Sequence, residues 1–336
     1  MSNILRALAG TVFGLPLAAA AGWIGYSNAF VPHKLPLPAA VPGERRDLAS
    51  RAGRLSYYVD GPEQGVPLLL VHSINAAGSS YEIGPLYEIY RKTRRVYALD
   101  LPGFGFSERS DREYTPRLMT DAVHAMLDEI RRIEGGAPID ALALSLSSEF
   151  LARAASERPN DFRSLALISP TGFSASTPEN GAPGSTRGKP ALYKSFSFPA
   201  WNRPFYDLLT SRPSIRYFLK KTWGSDRIDE GMVDYDYLTT HQPGAQHAPY
   251  YFVSGFLFSG DIRGVYQTLT QPVFMVHGVR GDFQDYRGKK SVETKPNWTI
   301  RIYQTGALPH FEMLEDYTRD YDAFLGTVIQ QGRPAV

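Results

Sequence analysis

The sequence predicts an α/β fold: a mostly parallel sheet flanked by helices, with a mainly helical cap inserted late in the chain. Three observations carry this expectation. From Arg45 to Pro170 short apolar runs alternate with helical stretches, the pattern of successive strand-helix-strand units. Several of the runs are apolar end to end, as at Pro67 to Val71, which suits strands covered on both faces better than half-exposed ones. Between Thr171 and Leu269 the rhythm breaks into a Gly/Ser/Pro-rich loop and aromatic-rich amphipathic pieces, and it resumes with PVFMVHG and WTIRIYQ.

Taken in order, the chain opens with a run from Ala7 to Tyr26 that carries no charge and ends in Trp23 and Tyr26. Residues 1–30 therefore read as a membrane anchor, its length suiting a bilayer-spanning helix. A cleaved signal peptide is the competing reading: Arg6, then the apolar stretch Ala7 to Leu17, then the small residues Ala18 to Ala21. A buried core helix is the third, disfavoured by the missing polar face. With Arg6 on the cytoplasmic side, an anchored body would stand on the extracytoplasmic side, and a cleaved one would be secreted or periplasmic. Residues 31–44 hold four prolines and read as an extended linker.

The body then runs over 45–170 as the first part of the core. Strands are predicted at RLSYYVDG, VPLLLVHS, VYALDLPG, IDALALS and SLALISP, with helices near 80–92, 116–132 and 147–157. The cap spans 171–269, and 270–336 completes the core with two strands and a helix from about His310. Composition narrows the function classes. The 36 basic and 34 acidic residues are interspersed, which leaves no field or stripe suited to nucleic acid. With no cysteine, disulfides, thiol catalysis and thiolate metal sites are excluded, and the redox compartment stays open.

In open parallel sheets reactive residues gather at the carboxyl ends of strands. Four such ends matter here. In ALALSLSSEF (141–150) a serine lies where a strand turns into a helix. A tight turn of that kind needs small residues two before and two after the nucleophile. Ser145, between Ala143 and Ser147, meets the condition; Ser147 and Ser148 do not, being flanked by Glu149 and by Leu146 and Phe150. The small-residue loop His72 to Ser79 offers the N–H of Ile74, which with that of Leu146 would form a two-donor oxyanion hole. After VFMVH the loop carries Asp282, with Asp285 behind it, where an orienting carboxylate belongs. After the last strand comes His310, placed to swing between serine and aspartate. Each signal alone has a plainer reading as a helix cap, a turn former or a structural histidine. Together they arrive in the order Ser, Asp, His at three strand ends of one sheet.

These residues resemble the α/β-hydrolase superfamily from about Arg45 to Gly326. Asp100-Leu-Pro-Gly-Phe-Gly-Phe-Ser107 looks like that family's D-x-P-G-x-G-x-S turn, Glu157 to Pro170 is similar to its passage from the elbow helix into the next strand, and Gly306-Ala-Leu-Pro-His310-Phe-Glu is similar to its final histidine loop. Three places depart from the pattern: Ser73 stands where the family usually has glycine, Ala143 and Ser147 replace the two glycines flanking the nucleophile, and Asp282 comes one residue later than the commonest spacing. The resemblance implies an ester hydrolase of the carboxylesterase or lipase kind. Ser145 would be nucleophile, His310 general base and then acid, Asp282 the group that fixes the imidazole tautomer, and Ile74 and Leu146 the oxyanion donors. No metal or organic cofactor is implied. The aromatic cap and apolar N-terminus point to a lipophilic ester. A thioesterase, a C–C bond hydrolase or an acyltransferase would use the same triad. A membrane-tethered binding protein that has kept the fold and lost turnover remains the alternative from another class.

Overall fold

The computed structural model describes residues 18–331. Of the apolar run at 7–26, residues 7–17 lie outside the described part. Residues 18–30 form helix α1, and an extended segment leads from it to the sheet. Among the described residues no helix is long and apolar enough to cross a membrane.

Strands β1 (Glu44–Ser50) and β2 (Gly53–Asp60) make an antiparallel hairpin at one edge of the sheet. The sequence reading contains β2 but not β1, because ERRDLAS has no apolar run; it is exposed and held mainly by its ladder to β2. There follow β3 (Leu68–Val71), a 3-10 turn at Ser80–Ile83, α2 (Gly84–Tyr90), β4 (Val96–Asp100), α3 (Pro116–Glu134), β5 (Ile139–Leu144), α4 (Ser147–Glu157) and β6 (Phe162–Ile168). Helices α5 (Pro190–Phe196), α6 (Asn202–Leu209), α7 (Arg212–Trp223), α8 (Glu230–Thr240), α9 (His247–Val253) and α10 (Ile262–Thr268) lie between β6 and β7 (Val273–His277). Beyond β8 (Trp298–Ile302) the helix expected from His310 is two: α11 (Pro309–Glu312) and α12 (Leu314–Gln331), broken where Met313 takes an extended φ of −137°.

The strand order is β1-β2-β4-β3-β5-β6-β7-β8, parallel from β4 onward. Alternation along the buried strands builds a core on each face. Leu69, Val71, Leu99, Ala141 and Ala143 pack with α3 and α4, while Leu68, Leu70, Ala98, Leu142 and Leu144 pack with α2 and α12. Each large apolar side chain so buried contributes about 1.5–3 kcal/mol. Helix α3 shows how local chemistry sets the bounds. Thr115 accepts a hydrogen bond from the Leu118 N–H, Pro116 begins the helix, and Gly135 ends it in the left-handed region.

The Asp100-to-Ser107 turn is structural. The Asp100 carboxylate accepts from Ser80 Oγ at 2.6 Å and the Phe106 N–H at 2.9 Å, and the Ser107 hydroxyl donates to the Asp100 carbonyl. Gly105 sits at φ 50°, and a Cβ there would lie 2.1 Å from the Asp100 carboxyl, so only glycine lets the turn fold over that group. The turn welds β4 to β2 through the bond from the Ser56 N–H to Ser107 Oγ.

Candidate active site

The carboxyl ends of β3, β5, β6, β7 and β8 open into a cavity of about 270 Å³ roofed by the cap. Ser145 stands on its wall with φ 55°, between the end of β5 and the start of α4. A non-glycine residue in that region carries roughly 1–3 kcal/mol of strain. The strain is held by the bond from the Ser145 N–H to the Ile168 carbonyl at 2.8 Å and by burial of the flanking residues Ala143 and Ser147, where a larger side chain would have no room. Ser148 reaches back from the helix to the Ala143 carbonyl. The structure therefore places Ser145, rather than Ser147 or Ser148, at the elbow.

Of the two expected oxyanion donors, one is at the cavity wall and the other follows Ser145 in the chain. Ile74 lines it, and Leu146 is the N-cap of α4; neither backbone N–H has a protein acceptor among the described residues. The residue between His72 and Ile74 is differently engaged. Ser73 donates its N–H to Glu82 Oε2 at 2.7 Å and its hydroxyl to Glu82 Oε1 at 2.9 Å, and Asn75 donates to Glu82 Oε1 at 2.6 Å. The serine found here in place of glycine thus ties the loop to a buried carboxylate that itself lines the cavity.

Among the described residues no hydrogen bond joins Ser145, His310 and Asp282. His310 is fully buried in α11 and off the cavity wall. Its Nε2 donates to the Glu82 carbonyl at 2.7 Å, which leaves Nδ1 as an unpartnered lone pair. Burial pushes its pKa from 6.5 down to about 4, so the ring is neutral. Asp282 reaches the cavity rim but is more than half exposed, with its carboxylate 3.7 Å from Lys221 Nζ and no histidine bonded to it. Asp285 accepts from the Ala175 N–H and pairs with Arg287 at 2.9 Å, which holds its carboxyl well below the usual range. In the loop after β8, the residues that face the cavity are Ala307 and Leu308, and no histidine is among the residues lining it. Ala307 and Leu308 belong to the loop before α11, whereas His310 is the second residue of α11, where its ring is buried.

Other residues at the site gave the sequence reading little to work with. Ser169, at φ 47° on the end of β6, donates to the Ala307 carbonyl at 2.7 Å and so fixes the β8 loop. Glu149, one turn after Ser145, accepts from Thr171 Oγ1 at 2.5 Å and from the Ser259 N–H at 2.8 Å. It joins the elbow helix to the β6 loop and to the cap, and burial pushes its pKa from 4.5 up to about 7. Phe173, Phe252, Phe258, Leu219 and Met232 supply apolar wall. Among the described residues no group of three or more His, Asp or Glu side chains converges as a metal site would.

A family model described as "Alpha/beta hydrolase family" matches residues 68–319, which takes in the elbow, the whole cap and the β8 loop. The chain belongs to the alpha/beta hydrolase family. Solved structures agree on its architecture. Carboxylesterase CesB from Bacillus subtilis is 17% identical with a TM-score of 0.63, covering 92% of this chain and 97% of its own. A membrane phospholipase A is 17% identical at 0.62, covering 97% and 96%. The meta-cleavage product hydrolase CumD from Pseudomonas fluorescens is 16% identical at 0.62, covering 84% and 97%. At these identities the likeness is one of fold. No curated protein matches the chain by sequence.

Proposed function

We propose that this alpha/beta hydrolase cleaves a lipophilic carboxylic ester slowly, through an acyl-enzyme on Ser145. The observation that carries the reading is the strained serine at φ 55° on the wall of an apolar cavity, next to two backbone N–H groups without acceptors. Ser145 Oγ attacks the ester carbonyl carbon, and the carbonyl electron pair moves onto oxygen, where the Ile74 and Leu146 N–H groups receive it. Collapse expels the alcohol; water then attacks the acyl-serine, releases the acid and restores Ser145. The aromatic wall suits an apolar acyl or alcohol group. Relatives named as a carboxylesterase and a phospholipase favour an ester. The apolar run at 7–26 is proposed to hold the body at the extracytoplasmic face of a membrane.

The slow rate follows from the base. With no imidazole on the cavity wall, the serine proton leaves to water at the mouth, and the departing alkoxide takes one back from water. A positioned base is worth about 10²–10⁴ in rate, and the proposal assigns Ser145 none of that factor. The expected signature is hydrolysis that keeps rising with pH, with no plateau set by an imidazole near pH 7.

A second reading, ligand binding without turnover, is favoured by the same bare wall and by the Glu82 carboxylate under the oxyanion loop, whose charge would oppose a developing oxyanion. Labelling with a fluorophosphonate, followed by peptide mapping, separates the two. Slow, stoichiometric adduct at Ser145 that disappears in Ser145→Ala supports hydrolysis. A folded chain that binds long-chain esters but never labels is a binding protein.

A further inference from the structure

We propose that α1 and the outer face of the cap together form a membrane-contact surface, laying the body against a lipid bilayer with the cavity mouth alongside. The proposal does not depend on turnover at Ser145.

Six of the large apolar side chains left exposed belong to α1, to the segment entering α6 and to α7. Tyr26 and Phe30 on α1, Phe198 and Trp201 before α6, and Tyr217 and Phe218 on α7 are between 41% and 72% exposed. Aromatic residues settle at the boundary between lipid and water, whereas an apolar patch of this kind facing only water is unusual.

Contacts tie α1 to the first part of the cap. On α1, Trp23, Tyr26 and Phe30 form a ladder with ring separations of 5.8 and 5.5 Å. Trp23 Nε1 donates to the Pro204 carbonyl of α6 at 2.8 Å. Asp207 of α6 is buried and accepts from Ser27 Oγ at 2.6 Å and from His33 Nε2 at 2.8 Å. Its second oxygen lies 3.1 Å from Arg203 Nε. The first helix is therefore latched to the cap through a desolvated polar node. The tilted rings of Phe198 and Trp201 lie 4.5 Å apart where α6 begins, and only Thr210 and Ser211 separate α6 from α7.

The occupant follows from the chain itself. Residues 18–30 carry no charge, and the sequence preceding them is uncharged back to Ala7. The described residues 18–30 hold Tyr26 and Phe30 exposed beside the cap, and the proposal sets these aromatics at the lipid–water boundary. Helix α7 interleaves Arg212, Arg216, Lys220 and Lys221 with the aromatics. Their partners Asp234, Glu230, Asp226 and Asp282 form surface ion pairs of little strength, which anionic headgroups can replace. The inner side of α7 brings Leu219 and Thr222 to the cavity, and Phe283 stands exposed at its rim, so an apolar molecule passes from bilayer to cavity without crossing open water.

Because the chain has no cysteine, single introduced thiols report on it cleanly. The full chain is reconstituted into phosphatidylcholine/phosphatidylglycerol vesicles after labelling Tyr26→Cys, Phe218→Cys or Arg319→Cys with an environment-sensitive dye. Arg319 lies on α12, outside the patch, and is two-thirds exposed. The expected result is blue-shifted emission at 26 and 218 that brominated lipid quenches, with no response at 319. A response at 26 but not at 218 overturns the proposal, because the cap would then face away. An equal response at all three sites overturns it too, as does a shift at 218 that grows with protein concentration without vesicles, which would assign the face to a second copy of the chain.

Discussion

Replacing Glu149 by glutamine tests the joint between elbow and cap. The carboxyl is fully buried, and its pKa rises from 4.5 in the unfolded chain to about 7 in the native protein, chiefly because burial penalises the charge; the bonds from Thr171 and Ser259 oppose the rise only in part. Between those two values the native state holds a proton that the unfolded state has lost, so this group's contribution to stability falls as pH rises from about 4.5 through about 7. The span between them corresponds to about 3 kcal/mol at 1.36 kcal/mol per tenfold change. Glutamine keeps an acceptor for the Ser259 N–H and cannot ionise. Urea unfolding of both proteins at pH 4.5 and pH 8 should therefore show Glu149→Gln gaining about 3 kcal/mol on the parent between the two conditions. Comparing variant with parent cancels His310 and the other titrating groups. A difference between the two proteins that is the same at both pH values would refute the reasoning, since Glu149 would then be charged throughout or titrate alike in both states.

Three other outcomes follow from the site. Ala307→His puts an imidazole where the β8 loop meets the cavity; ester hydrolysis should rise about 100-fold at pH 8, the low end for a base with no orienting carboxylate, and acquire a plateau, and a folded variant with an unchanged pH–rate profile would refute the assigned geometry. His310→Gln keeps a donor for the Glu82 carbonyl and should leave turnover within about threefold, whereas a loss of orders of magnitude with the fold intact would make His310 the base. In the parent, the depressed pKa of His310 costs stability as pH falls from 6.5 to about 4, and the same variant should show less acid sensitivity by up to about 3 kcal/mol in unfolding experiments.

Much of the fold was legible because its signals are local. The end-to-end apolar run at 68–71 and the largely apolar 139–144 read as strands covered on both faces, and the small-Ser-small frame singled out Ser145 because the elbow's steric demand is met or missed within five residues. Asp100 to Ser107 was equally readable, since its glycines answer to a carboxylate a few residues away. The hairpin strand β1 escaped notice because an edge strand held by backbone pairing needs no apolar code. The roles of His310 and Asp282 were a matter of tertiary geometry. Sequence order brings both to strand ends of the sheet. Which residues after β8 meet the cavity is set by how the loop packs, and there it falls to Ala307 and Leu308 while the His310 ring on α11 turns to the Glu82 carbonyl. In the same way, the sequence supplied an aromatic cap and an uncharged N-terminus as separate facts. Only the packing of α1 on α6 around the buried Asp207 carboxylate brought them together. Backbone conformation is decided by neighbours along the chain, and the direction of a side chain by neighbours that folding brings from far away.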